Sequence, residues 1–156
     1  MPKHDPRIAL LGDLDEAESA MGLARALSKR AVAAEILELQ RGIYEILAEV
    51  GTSPERAPAA RADEARIADL ERRVDTLRAK AVIPPQFVVP GNDAAAAAID
   101  LSRTIVRRAE RTVARLLDDG VLTNRDVLRY LNRLSDALFV LARKQEGRRK
   151  TLAKRR

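Results

Sequence analysis

Small and aliphatic side chains recur every three or four residues at Ile99, Ser102, Val106, Ala109, Val113 and Leu116. That spacing puts them on one side of a helix, and a helix with such a stripe must bury it against another element. Four other stretches carry the same kind of stripe: Leu14, Ala17, Met21 and Ala24; Val32, Ile36, Leu39, Ile43 and Leu47; Ile67, Leu70, Val74, Leu77 and Ala81; Val127, Leu131, Leu134, Leu138 and Leu141. No stretch alternates as a strand does, and no glycine-rich strand-to-helix fingerprint occurs. Helices that have only one another as partners pack as a bundle. The expected fold is therefore all-α, an up-and-down five-helix bundle. With 46% hydrophobic but only 3% aromatic residues, its core is expected to be small-residue and aliphatic. The 156 residues suffice for one such domain.

The residues between the stripes set the boundaries. Pro2 and Pro6 mark Lys3 to Ile8 as a polar, non-helical lead-in. Asp13, with Glu16 three residues on, reads as a capping box that opens the first helix, which runs to about Arg30. Whether a turn or a bend near Ser28 to Arg30 divides the first two stripes stays open at this level. Gly51 closes the second helix, and Thr52 to Ala62, with Pro54 and Pro58, reads as an exposed linker. Asp63 opens the third helix, which stops at Ile83 because Pro84 disfavours helix in the residue before it. A loop from Phe87 through Pro90-Gly91 feeds the fourth helix, Asp118-Asp119-Gly120 ends it, and Thr123 with Asp126 starts the last. On this reading residues 1–147 are the bundle domain and 148–156 a basic tail.

Composition excludes several chemistries. With no cysteine there is no disulfide framework, no thiolate metal site and no thiol nucleophile. The single histidine, His4, leaves no His-based metal site and no Ser-His triad, and no protein-held metal is expected. No apolar run approaches the roughly 20 residues of a membrane span, and the first residues lack a signal-peptide core. A cytoplasmic protein with no membrane partner is expected. Of the net charge of +6, the stretch from Gln145 to Arg156 carries +5, which leaves about +1 for the body. Such a tail reads as a solvated, mobile end. Nucleic-acid binding would need a basic face with stacking aromatics on the body, and no nucleic-acid partner is expected.

The fourth helix carries the chemistry. Arg103, Arg107 and Arg111 stand at i, i+4 and i+8, so three guanidinium groups line one side. Like charges so spaced repel by a few tenths of a kcal/mol per pair, so helix stability does not explain them. Asp100 lies one turn before Arg103, and Glu110 interrupts the series near its far end. Nearby carboxylates on a solvated face would neutralise such a stripe; so would an anionic ligand or partner.

Four blocks, in order, resemble one family. Lys3-His4-Asp5-Pro6-Arg7-Ile8 looks like a Lys-Asp-Asp-x-Arg-Ile block, and Gly12 through Ala24 resembles Gly-x-x-Asp-Glu-Leu-Asn-Ser-x-x-Gly. Phe87 to Gly91 with Ala96 through Arg111 is similar to Phe-Ile-Leu-Pro-Gly-Gly followed by Ala-Arg-Thr-x-x-Arg-Arg-Ala-Glu-Arg. Tyr130 through Asp136, with Leu138 through Arg143, resembles the closing signature. The family is the PduO-type ATP:corrinoid adenosyltransferases, and the blocks span nearly the whole chain. The resemblance implies a homotrimer with active sites between subunits. It also implies transfer of the 5′-deoxyadenosyl group of ATP to cob(I)alamin, with magnesium, releasing triphosphate. A cobalamin reductase and an adenosylcobalamin-dependent enzyme are the further partners it suggests. Reduced cobalt is itself the nucleophile, which fits a chain without a catalytic Cys or His. The protein's work is then to hold the leaving triphosphate and align the ribose carbon.

Residue by residue, the resemblance assigns Arg107, Arg108, Glu110 and Arg111 to the nucleotide, with Arg107 foremost for phosphate or transition-state charge. Arg103 corresponds to an arginine that pairs with the aspartate of the Asp-Glu block, here Asp15, across the subunit interface. Asn132 and Lys3 correspond to ATP contacts, and Phe87 to the aromatic that shields the lower cobalt face. Asn92 replaces the second glycine of Pro-Gly-Gly, Asp100 stands where many members have histidine, and Glu18 replaces an asparagine. The Thr-Lys/Arg-Thr-Gly-Asp-x-Gly-x-Thr segment that usually opens the family, a nest of N–H groups for triphosphate, has no counterpart before Lys3. From that departure, weakened ATP affinity is expected. The alternative reading is a catalytically degenerate bundle that binds corrinoid or a protein partner without transfer.

Overall fold

A computed structural model describes residues 1–53 and 55–154; Pro54 of the linker and Arg155 and Arg156 of the tail lie outside them. Five helices follow in order: α1 (Pro6–Leu27), α2 (Arg30–Gly51), α3 (Glu64–Arg78), α4 (Ala94–Asp118) and α5 (Asp126–Glu146). The expected all-α, up-and-down bundle is what forms. Cross-helix bonds show the alternating directions: Asp13 of α1 meets Arg108 and Thr112 of α4, and on α4 Asp100 meets Arg143 while Glu110 meets Asn132 of α5. α4 packs against α1 and α5, α2 against α1 and α5, and α3 lies outside against α5.

The inner stripes are the expected ones except at two ends: on α2 Ile46 and Val50 are buried where Leu47 was expected and Leu47 is only partly so, and Ala81, beyond the end of α3, is only partly buried. Leu14, Met21, Ile36, Ile43, Ile67, Ile99, Leu131 and Leu138 are fully enclosed. Burying each such side chain is worth about 1.5–3 kcal/mol, and the buried alanines between them, Ala17, Ala24, Ala109 and Ala137, let the helices approach closely. Gly42 of α2 marks the tightest approach. A Cβ there would stand 1.8 Å from the hydroxyl oxygen of Tyr130 on α5.

The start of α1 and the end of α3 differ from expectation, and the junction left open between α1 and α2 is resolved. α1 starts at Pro6 rather than near Asp13. Asp5 caps it, its carboxylate accepting from the Arg7 backbone N–H at 2.9 Å and from the Arg7 guanidinium at 2.8 Å, and Pro6 supplies a preset φ at the first helical position. Arg7 holds the Asp5 carboxyl down to about 2. α3 ends at Arg78, about a turn before Ile83, where Ala79 and Lys80 fold back onto carbonyls of the last turn. The prolines exclude helix at Ile83 but do not hold it open up to there. Between α1 and α2 the chain breaks cleanly at Ser28 and Lys29, both extended.

The chain also contains strands, which the sequence pattern did not suggest. β1 (Val88–Val89) and β2 (Thr151–Leu152) pair antiparallel, Val88 with Leu152 and Val89 with Thr151. Two-residue strands are too short to show alternation, so periodicity could not reveal them. β2 lies in the tail expected to be a mobile end. Gly147, at φ +62, reverses the chain after α5 and returns it to the Phe87 loop.

Candidate functional site

α4 is held at its start by Asp93, whose carboxylate accepts from the Ala96 N–H at 2.8 Å. With its small-residue stripe buried, the arginines fall on the outer side. Arg103 lies partly buried, its Nε 3.4 Å from Asp100. Arg107 is half exposed and 3.8 Å from Glu110. Arg111 is exposed and donates to the Arg107 carbonyl at 3.1 Å. Among the described residues no carboxylate pairs with Arg111. The stripe thus keeps most of its capacity to bind an anion.

Glu110 also accepts from the Asn132 amide at 2.8 Å, and Asn132 in turn accepts from Arg133 at 2.6 Å. Arg107, Glu110 and Asn132 therefore form one cluster across the α4–α5 seam. Arg108 turns the other way. It bonds Asp13 at 3.1 Å and also Glu16, while Thr112 donates to Asp13 at 2.7 Å. In this chain Arg108 ties α4 to α1. Asp13 is its partner inside the helix instead of a helix cap. Asp15 is exposed on α1, away from Arg103 and without an ion pair among the described residues, and Lys3 is exposed ahead of α1.

At the N-terminal end of the stripe, Phe87 stands 88% exposed on its loop. It borders a cavity of about 320 Å³ lined by Pro84, Pro85, Asp100, Arg103, Phe139 and Arg143 among others. Arg143 is nearly inaccessible. It donates to Asp100 at 2.5 Å and lies over the Phe139 ring, 5.4 Å from its centre. Its Nε comes within 2.7 Å of Glu146, but without hydrogen-bond geometry, so Arg143 Nε and Glu146 Oε1 stay unbonded. Burial, only partly offset by Arg143 and Lys150, pushes the Glu146 carboxyl up. The sequence drew attention to Asp100 beside Arg103 but not to Arg143 and Glu146 as its neighbours; the further signal was Arg143, a charged residue directly after the apolar run from Leu138 to Ala142.

The fold is thus a helical bundle whose fourth helix carries an open arginine stripe, with an exposed aromatic beside a charged cavity at one end. The chain belongs to the cobalamin adenosyltransferase family, whose model matches residues 1–145. A corrinoid adenosyltransferase of Bacillus subtilis is 36% identical over 146 residues, covering 90% of this chain and 75% of that one. The PduO corrinoid adenosyltransferase of Citrobacter freundii is 34% identical over 149 residues, but these are 92% of this chain and 44% of that protein. The chain thus spans less than half the length of that relative. Among solved structures, a variant PduO-type ATP:corrinoid adenosyltransferase from Lactobacillus reuteri, complexed with cobalamin and ATP, superposes with a TM-score of 0.85 at 27% identity, covering 99% of this chain and 90% of that one. A second variant from the same organism, complexed with ATP, has a TM-score of 0.79 at 32% identity, covering 92% and 82%.

Proposed function

We propose that this chain transfers the 5′-deoxyadenosyl group of ATP to cob(I)alamin. The cobalt electron pair attacks the ribose C5′, the C5′–O bond breaks, and triphosphate leaves with the bonding electrons. The observation that carries this reading is the course of α4, from the cavity beside Phe87 to the Arg107–Glu110–Asn132 cluster. One end suits a flat apolar ring system and the other a triphosphate. Charge-assisted bonds from Arg107 and Arg111 would hold the leaving group, and Glu110 with Asn132 would orient Arg107. Phe87 would cover the lower corrinoid face, with Lys3 closing on the nucleotide once it is bound, while Arg108 stays with Asp13 and Glu16 and holds α4 against α1. Magnesium would travel with the triphosphate, keeping phosphate oxygens and water as its main ligands.

The site is shared in this reading. Asp15 stands exposed on α1, and Leu23, Leu27 and Leu101 are exposed apolar residues on α1 and α4. A homotrimer would cover such residues and bring Asp15 of one copy to Arg103 of the next; light scattering should then report three times the chain mass. A cytoplasmic reductase would supply cob(I)alamin, and an adenosylcobalamin-dependent enzyme would take the product.

Binding separates the two halves of the site. Arg107→Ala should weaken ATP in calorimetry by about ten- to a hundred-fold, the loss of one charge-assisted contact. Phe87→Ala should leave ATP affinity within about two-fold and abolish the change in the cob(II)alamin absorbance spectrum that the intact chain is expected to produce when ATP is present. Equal losses of both ligands in both variants would contradict the assignment.

A further inference from the structure

We propose that the C-terminal strand is a strap that positions Phe87, and that Asn92 is the residue that fastens it. The proposal deepens the corrinoid reading above and rests on it for its effect on catalysis. Its structural half stands alone.

The strap reaches Phe87 directly: the Ala153 N–H donates to the Phe87 carbonyl at 2.9 Å, next to the Val88–Leu152 and Val89–Thr151 pairs. A ribbon of two residues a side is marginal in water and cannot hold the loop alone. Polar contacts just outside the ribbon supply the rest. The Asn92 amide donates to the Thr151 hydroxyl at 2.7 Å and to the Arg149 carbonyl at 3.2 Å. Arg149 donates to Asp93 at 2.9 Å, so the carboxylate that caps α4 also anchors the tail. Buried Gln145 connects this point to α2, donating to Asp93 at 3.4 Å and accepting from the Lys29 N–H at 3.1 Å. Lys150 caps carbonyls at the end of α5, those of Arg143 and Gly147. The contacts of Ala153, Asn92, Arg149 and Gln145 converge on the loop that carries Phe87 or on Asp93, the cap of α4, while those of Lys150 and Lys29 tie the base of the strap to the ends of α5 and α2.

Phe87 packs little of its own ring, being 88% exposed, so its position depends on its backbone. The backbone is fixed from one side by the tail. A glycine at position 92 could make neither side-chain bond. Asn92 is thus a positioning residue, acting on the corrinoid through Phe87 and not on the nucleotide at the other end of α4.

The test compares the intact chain with Asn92→Ala and with a chain ending at Gly147. Hydrogen–deuterium exchange of residues 86–92 should rise by about five- to thirty-fold in Asn92→Ala, the loss of one or two neutral hydrogen bonds, and by at least as much in the shortened chain, which loses the ribbon as well, while exchange of residues 99–116 stays unchanged. In the anaerobic adenosylation assay the KM for corrinoid should rise by a similar factor and the KM for ATP by less than about two-fold. Unchanged exchange in both variants would overturn the strap. Raised exchange with an unmoved corrinoid KM, or with an equal rise in the KM for ATP, would overturn its role in positioning Phe87. If the intact chain shows no turnover, exchange alone decides the strap, and the activity reading fails separately.

Discussion

Asp100 and Arg143 meet at 2.5 Å, both almost wholly buried, in a bundle whose interior is mostly aliphatic. A charge placed there survives only with a partner, and removing one partner leaves the other uncompensated. Asp100→Asn should therefore lower the unfolding free energy by about 3–5 kcal/mol in chemical denaturation. The combined replacement Asp100→Leu, Arg143→Met and Glu146→Gln should cost much less, because it also neutralises the buried carboxylate 2.7 Å from Arg143 and strands no buried charge. Glu146 behaves oppositely. Its carboxyl is raised above the ordinary 4.5 mainly by burial, so the folded state holds that proton more tightly than the unfolded state. Its contribution is most favourable below about 4.5 and declines as pH rises through the folded value. Glu146→Gln should flatten that decline, and Arg143 remains bonded to Asp100. An unaltered slope would remove burial of Glu146 as its cause. The pattern of apolar residues predicted most of the positions that are inside, but Asp100, one residue after Ile99, lies about 100° round the helix from it and off that stripe. What it could not show is that an arginine 43 positions later would reach it.

Between helices, the closest approach is set by a glycine. In an exposed helix Gly42→Ala would gain about 1 kcal/mol of helix propensity. Here the new methyl would lie 1.8 Å from the Tyr130 hydroxyl, and the stiff, buried ring has little room to retreat. Overpacking of this kind costs about 1–3 kcal/mol, so Gly42→Ala should be neutral to destabilising. Adding Tyr130→Phe removes the atom in the way and should recover the propensity gain. Were Gly42→Ala alone stabilising by about 1 kcal/mol, the α2–α5 contact described here would be wrong. The helices themselves were legible because five stripes of period three to four leave no other fold. Their ends were less so. Asp13 with Glu16 satisfies the capping pattern as well as Asp5 does, and only Arg108 on a distant helix shows that Asp13 is spoken for. The β1–β2 pair joins residues far apart in sequence through two positions each, below the length at which any period is visible.

At the scale of the whole molecule, one helix links the two halves of the proposed site. The arginine stripe and the Phe87 loop were both legible as unusual, since neither serves the stability of an isolated helix. The structure adds that Arg107, Glu110 and Asn132 cluster, that Arg108 is committed to α1, and that Asp15 and Lys3 stand apart from them in a single chain. Those last two reach the site only if copies assemble or a ligand draws them in, which no pattern within one sequence can display. The most direct measurement is anaerobic adenosylation: chemically reduced cobalamin, ATP and magnesium with the chain, following the cobalt–carbon bond by absorbance, beside Arg107→Ala. The account predicts turnover by the chain and a fall of at least about a hundred-fold in kcat/KM for Arg107→Ala, the loss of one transition-state charge contact. A folded chain that binds cobalamin and ATP yet forms no cobalt–carbon bond would contradict it and leave a binding protein on the same fold.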